Sequence, residues 1–200
     1  MILDKTYCLH YPALIQRKEL LLKRFKELDM EVEWVEGFLP ENIKETPKGM
    51  KNKGELSLYL KHKYVLNEQI NNNIERVLIL EDDVILPDGF DQFYNNCIKE
   101  FEQLRGDILF LGICCGILPK NIEKNKFVYF DPSYRSRCTH CYTIKLETAK
   151  KIIGLLDNHN RPIDWKLNEC IETQNLRSCY AEPGIHQASQ AGLFQSSLYN

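Results

Sequence analysis

The stretch Arg76-Val77-Leu78-Ile79-Leu80-Glu81-Asp82-Asp83-Val84-Ile85-Leu86 constrains this chain more than any other. Residues 76–80 hold four large aliphatics with no polar alternate. That is the pattern of a strand buried on both faces, which belongs to a sheet covered by helices on each side. The strand then meets three consecutive carboxylates before apolar residues resume. Carboxylates packed together raise one another's proton affinity unless positive charge sits among them, and a divalent cation is the usual solution. In an extended segment alternate side chains share a face, so Glu81 and Asp83 can converge on one ion while Asp82 points elsewhere. The competing reading is an acidic turn that closes a strand and stays solvated.

The order of the remaining segments bears on that choice. Residues 6–10 read as a strand that stops at Tyr11-Pro12, where proline blocks further pairing. Residues 15–28 place Leu20, Leu21, Leu22, Phe25 and Leu28 among charged residues, as in an amphipathic helix, and 32–36 alternate like a strand ending at Gly37. The polar stretch 40–53, with Pro47 and Gly49, reads as a long, mobile loop. A second helix starts at Gly54-Glu55 and ends at Asn71-Asn72-Asn73, directly before the acidic strand. Beyond it come a helix over 90–104, a strand over 107–112, short strands over 127–130 and 139–144, helices over 147–156 and 164–171, and a strand over 177–181. Such alternation predicts a single α/β domain over 1–200 with a mostly parallel sheet flanked by helices.

Composition removes several functions. Acidic and basic residues balance at a net charge of −2 with no isolated basic block, which argues against nucleic acid as a partner. No run of about 18 apolar residues occurs, so no transmembrane helix is expected. The first ten residues carry Asp4 and Lys5 and lack the apolar core of a signal peptide. Eight cysteines without that signal fit reduced thiols and a cytoplasmic protein. Cys138-Thr139-His140-Cys141 with Cys114-Cys115 has spacing near that of zinc sites, but adjacent cysteines chelate poorly in a tetrahedron. A packed role is the expectation for Cys141.

Read in order, the chain resembles glycosyltransferase family 25, which includes lipooligosaccharide-biosynthesis and collagen galactosyl- or glucosyltransferase-like enzymes. The likeness runs from residue 7 to residue 198. Its landmarks are Arg17 after the first strand, Val35-Glu36-Gly37, the helix start Gly54-Glu55-Leu56-Ser57-Leu58-Tyr59-Leu60-Lys61-His62, Leu80-Glu81-Asp82-Asp83, Cys141-Tyr142-Thr143-Ile144, Pro162-Ile163-Asp164, and the closing Pro183 to Gln187 with Ser196-Ser197-Leu198. Two positions depart from the family pattern: Ser57 stands where a glycine is usual and Lys61 where a serine is usual. The resemblance implies a GT-A fold that binds a nucleotide sugar, usually with Mn²⁺ or Mg²⁺, at the C-terminal ends of its strands, the general location for ligands in open α/β sheets, with its nucleotide-binding part near 1–115 and its acceptor side near 116–200.

Glycosyl transfer needs a stabilised diphosphate, a held acceptor hydroxyl and a base. Asp83 is expected to bind the metal directly, with Glu81 assisting through the metal shell or the ribose and His186 a further ligand from the tail. Asp82 is expected to face the sugar or the far side of the sheet. Tyr11 and Arg17 are candidate nucleotide contacts by stacking and by guanidinium–phosphate bonding, and Gln187 belongs to the closing motif. Asp164 is the candidate base, with helix capping as its alternative role. The expected reaction moves a hexose, galactose or glucose, from a UDP-sugar to a glycan or hydroxylysine-type hydroxyl with inversion. A metal-dependent phosphotransfer protein needs a nucleophilic aspartate after an early strand, and the first strand ends at His10-Tyr11. A nucleotide-binding module without activity is the other alternative.

Overall fold

The computed structural model describes residues 5–112, 127–130, 135, 137–189 and 192–193. The expected acidic strand is β3 (Arg76–Glu81). Its apolar run is continuous because both faces are covered: Val77 and Ile79 join one core cluster, Leu78 and Leu80 another. The same split divides β1 (Lys5–Leu9), where Tyr7 and Leu9 oppose Cys8, and β5 (Ile108–Gly112), where Ile108 and Phe110 oppose Leu109 and Leu111. One face is closed by α2 (Lys53–Asn71), α4 (Leu146–Ile152) and α5 (Ile163–Thr173). The other is closed by α1 (Ile15–Glu27) and α3 (Phe90–Gln103).

The remaining strands are β2 (Glu33–Val35), β4 (Val84–Ile85), β6 (Val128–Phe130), β7 (Cys141–Lys145) and β8 (Ser178–Gln187). Their order is β2-β1-β3-β7-β5-β8-β4, with β6 also on β8. Parallel pairing links β2, β1 and β3 and also β5 with β8, whereas β7 runs against both β3 and β5. Strands β4 and β6 also run against β8, so the sheet is mixed; with five of its eight strands in one direction it is mostly parallel and flanked by helices, as expected. The alternation argument for parallel pairing fails at β7, since no helical period precedes that strand after 127–130 in the sequence.

Three local expectations change. In α1 the buried stripe is Arg17, Leu21 and Phe25, four residues apart, which leaves Leu20 and Leu22 in solvent. The 40–53 stretch, expected to be a mobile loop, is largely exposed but anchored near its end: Met50 is buried, and Gly49, at φ +103°, lies where a Cβ would meet the Asn160 carbonyl. Strand β8 continues past residue 181 to Gln187 through a cis Glu182–Pro183 bond. It tolerates that proline because its register with β5 shifts between Phe110 and Gly112. No helix among the described residues is long and apolar enough to cross a membrane.

Candidate active site

The ends of β1, β3 and β8, the approach to β7 and the first turns of α2 and α5 surround one open cavity of about 1220 Å³. Glu81, Asp82 and Asp83 all line it. The chain turns at Asp82-Asp83 instead of staying extended, so the three carboxylates separate by environment more than by simple alternation.

Glu81 shares the face of Val77 and Ile79 and therefore points to α2. Thr139 Oγ1 donates to its Oε1 at 2.6 Å, and His62 Nε2 from α2 lies 3.4 Å away. The other nitrogen of His62, Nδ1, is 3.0 Å from the Tyr142 hydroxyl. Burial alone would raise the Glu81 carboxyl, but His62 and Thr139 outweigh it and hold the group below its usual range. Asp82 turns toward α1. Arg17 donates to its Oδ1 at 2.8 Å, while His10 Nδ1 and the Tyr11 backbone N–H donate to Oδ2 at 2.9 and 3.1 Å. Burial again opposes ionisation, and these donors again prevail, so Asp82 also stays below its ordinary value.

Asp83 is different. Its Oδ1 is buried with no hydrogen-bond partner among the described residues, and its Oδ2 is 3.8 Å from Arg17. Burial, then the charge of Glu81, pushes its carboxyl up to about 7. The positive charge that three adjacent carboxylates require comes largely from the protein, yet it is spent on the first two. The third, on a residue that lines the cavity, keeps an orphaned and buried oxygen. Among the described residues no group of three or more His, Cys, Asp and Glu side chains is placed to hold a metal ion. The site therefore fits only a cation that arrives with most of its ligands supplied by phosphate and water, the ordinary habit of Mg²⁺ in nucleotide sites.

A second cation lies beneath the triplet. Lys61, buried on α2, donates to the His10 carbonyl at 2.6 Å and lines the cavity. Its burial lowers the ammonium's pKa while Asp82 opposes that shift. Lys61 thus ties α2 to the end of β1 directly behind Asp82. The clue in the sequence is its position on the buried stripe Ser57, Lys61 and Val65, where a lysine must find an acceptor. The dependence of this cluster on its cations can be measured. Arg17→Met is expected to lower the unfolding free energy by about 3 kcal/mol in urea titrations, since it strips a buried carboxylate of its principal partner.

On the α5 side, Asp164 lines the same cavity in the first turn of its helix. It is not the cap, because Pro162 occupies that position and no side chain caps the helix. The Trp165 backbone N–H donates to Asp164 Oδ1 at 2.9 Å. Burial raises the Asp164 carboxyl to about 6, helped by the charge of Glu81 and opposed by Trp165 and Arg137.

Tyr11, Arg17 and Gln187 line the cavity with the acids. His186 does not: it is exposed on β8, opposite Ile85 of β4, and is not among the residues lining the cavity. That strand pairing, absent from the expected loop, fixes the direction of its side chain. Sequence reasoning passed over His10, His62, Thr139 and Trp165, which the fold brings to the site. Cys141 is a buried free thiol of β7, as expected, and so are Cys8, Cys97, Cys170 and Cys179. Cys138 is disulfide-bonded, against the expectation of wholly reduced thiols, and its partner lies outside the described residues. The expected zinc pair Cys114-Cys115 and the motif at 196–198 also lie outside them.

Among solved structures, the chain is similar to a glycosyltransferase involved in glycosylation of the major capsid of PBCV-1, at 14% identity and TM-score 0.49, covering 90% of this chain and 81% of that one. It is also similar to a protein described as a nucleotide-diphospho-sugar transferase from Desulfovibrio desulfuricans G20, at 9% identity and TM-score 0.49, covering 90% and 80%. No curated protein matches the chain. The family profile described as glycosyltransferase family 25 (LPS biosynthesis protein) matches residues 12–167. That span takes in Arg17, the start of α2, the acidic turn and Asp164 together, and on it the chain is a glycosyltransferase belonging to family 25.

Proposed function

We propose that this protein transfers a hexose, galactose or glucose, from a UDP-sugar to an acceptor hydroxyl in a metal-dependent, inverting reaction. One observation supports the reading above others: a single cavity holds Asp83, a buried carboxylate with an unpartnered oxygen, and Asp164, a carboxyl raised to about 6. Asp83 is the residue that would hold Mn²⁺ or Mg²⁺. When bound with the donor, the cation neutralises the charge that grows on the diphosphate as the sugar bond breaks. Asp82 does not compete for that place, since Arg17, His10 and Tyr11 occupy both its oxygens, while Glu81, with Oε1 held by Thr139 beside His62, assists from the metal shell or the ribose. Both acids also fix the turn that aims Asp83.

Tyr11 and Arg17, beside the acidic turn, form the nucleotide end, where an aromatic ring can stack on a base and a guanidinium can reach phosphate. Asp164 takes the proton from the acceptor hydroxyl as that oxygen attacks the anomeric carbon from the side away from the leaving group. A carboxylate with a pKa near 6 is ionised at neutral pH and is a stronger base than an ordinary aspartate. The five free cysteines among the described residues support the cytoplasm as the working compartment, and the Cys138 disulfide is the observation against it. Calorimetric titration with UDP, GDP, CDP and ADP, with and without Mn²⁺, tests the donor side. Manganese-dependent UDP binding is the expected result, and the absence of any metal-dependent nucleoside diphosphate binding would overturn the proposal.

A further inference from the structure

The chemistry above leaves the acceptor unnamed, and the residues beside Asp164 carry information about it. Six large hydrophobic side chains are exposed among the described residues: Ile15, Leu20, Leu22, Phe38, Trp165 and Leu193. Of these, Trp165 alone lines the cavity. Packing does not require it there, because α5 buries Ile163, Lys166, Leu167, Cys170 and Ile171 and points Trp165 outward. The guanidinium of Arg137 lies 3.6 Å from the centre of the indole ring, and Arg137 lines the cavity as well. With that group on one face, Trp165 still retains 44% exposure.

We infer that Trp165 and Arg137 form the acceptor subsite and that the acceptor is a glycan presenting a pyranose ring, not a hydroxylysine side chain. This inference rests on the proposed role of Asp164. The axial C–H bonds of a pyranose make an apolar, weakly positive face that complements the electron-rich face of an indole. A guanidinium over the same ring keeps N–H groups free of the indole to meet sugar hydroxyls. A flexible hydroxylysine side chain offers no such face. The base and the indole sit on successive residues of one helical turn: the backbone N–H of Trp165 donates to Asp164 Oδ1 and fixes the carboxylate, and Arg137 packs on the ring, so a sugar stacked there lies beside the carboxylate that deprotonates it. Arg137 keeps the ring orientation and contributes positive charge near Asp164, which partly offsets the rise caused by burial.

The test compares Trp165→Ala, Trp165→Phe and Arg137→Ala with the wild type, using UDP-hexose donor, a panel of methyl pyranosides and a hydroxylysine-containing peptide. Pyranosides are expected to accept. Trp165→Ala should raise the acceptor KM about tenfold or more while UDP affinity, measured by calorimetry, stays at the wild-type value; Trp165→Phe should recover most of the loss. An unchanged acceptor KM in Trp165→Ala would overturn the inference, as would transfer to the peptide with refusal of every pyranoside. Equal loss in the Ala and Phe variants would show that the indole is needed for the helix end and not for a sugar, which also counts against it. Failure of the underlying reading has a separate signature: a wild type that binds no UDP with Mn²⁺.

Discussion

Asp83→Ala will abolish transfer and remove the metal-dependent part of UDP binding. The loss in kcat/KM should reach about 10³-fold or more, the scale of a Lewis acid and template withdrawn from a developing diphosphate charge. The reason is specific to this carboxylate. Asp82 has both oxygens committed to Arg17, His10 and the Tyr11 amide, and Glu81 has Oε1 held by Thr139 beside His62, whereas Asp83 keeps a buried oxygen without a partner. Asp82 therefore cannot take its place without breaking its own contacts, and Glu81 is tethered toward α2. Asp83→Asn keeps the shape and one oxygen and should be nearly as inactive, since a neutral amide is a poor ligand for a hard cation. Calorimetric titration of UDP into each variant at fixed Mn²⁺, alongside donor turnover, is the check. Near-normal turnover in either variant would show that the metal is held elsewhere.

Asp164→Asn should lower kcat by about 10²-fold or more while UDP binding with Mn²⁺ stays intact, the expected scale for a lost general base. The wild-type rate should rise with pH through about 6, following ionisation of this group, and the variant should lose that limb. Stability moves the other way. The folded-state pKa lies above the ordinary aspartate value of 3.8, so the contribution of Asp164 to folding is full at low pH and is lost as pH rises through about 6. At pH 7 the buried charge works against the fold, and Asp164→Asn is expected to raise Tm. A helix cap would behave in the opposite sense, because removing a cap destabilises. A variant that is both less stable and weaker in UDP binding would identify Asp164 as structural.

How much of this was legible in the sequence depends on the range of the interaction involved. Strand β3 could be read because a run buried on two faces needs no polar alternate, and the start of α2, expected at Gly54-Glu55, falls at Lys53, after the cap Asn52, which accepts from the Glu55 amide at 3.0 Å. Asp83, Asp164, Tyr11 and Arg17 fall in one cavity, as a ligand site at strand ends requires. What stayed hidden was the identity of the counter-charges. Arg17 reaches Asp82 across 65 residues and Thr139 reaches Glu81 across 58, separations that no local pattern encodes. His186 lies off the cavity for a related reason: Pro183-Gly184 has the composition of a loop, and only the pairing of β8 with β4 and β5 makes it a strand. Trp165 was overlooked because a tryptophan in a helix reads as core, and its exposure becomes visible only once the buried stripe of α5 is known.

The reversed strand β7 has a consequence for how such an enzyme can change its habits. In a wholly parallel sheet every side chain at the active edge comes from a segment leaving a strand. Here β7 runs the other way, so the segment entering it, with Arg137, Cys138 and Thr139, is delivered to that edge. On the function proposed above, donor and acceptor ends of the pocket come from different stretches of its lining: residues 9–17 and 81–83 for one, 137–139 and 162–165 for the other. Grafting a different entering segment onto β7 is thus a route to a new acceptor that leaves the nucleotide-gripping half of the molecule as it stands.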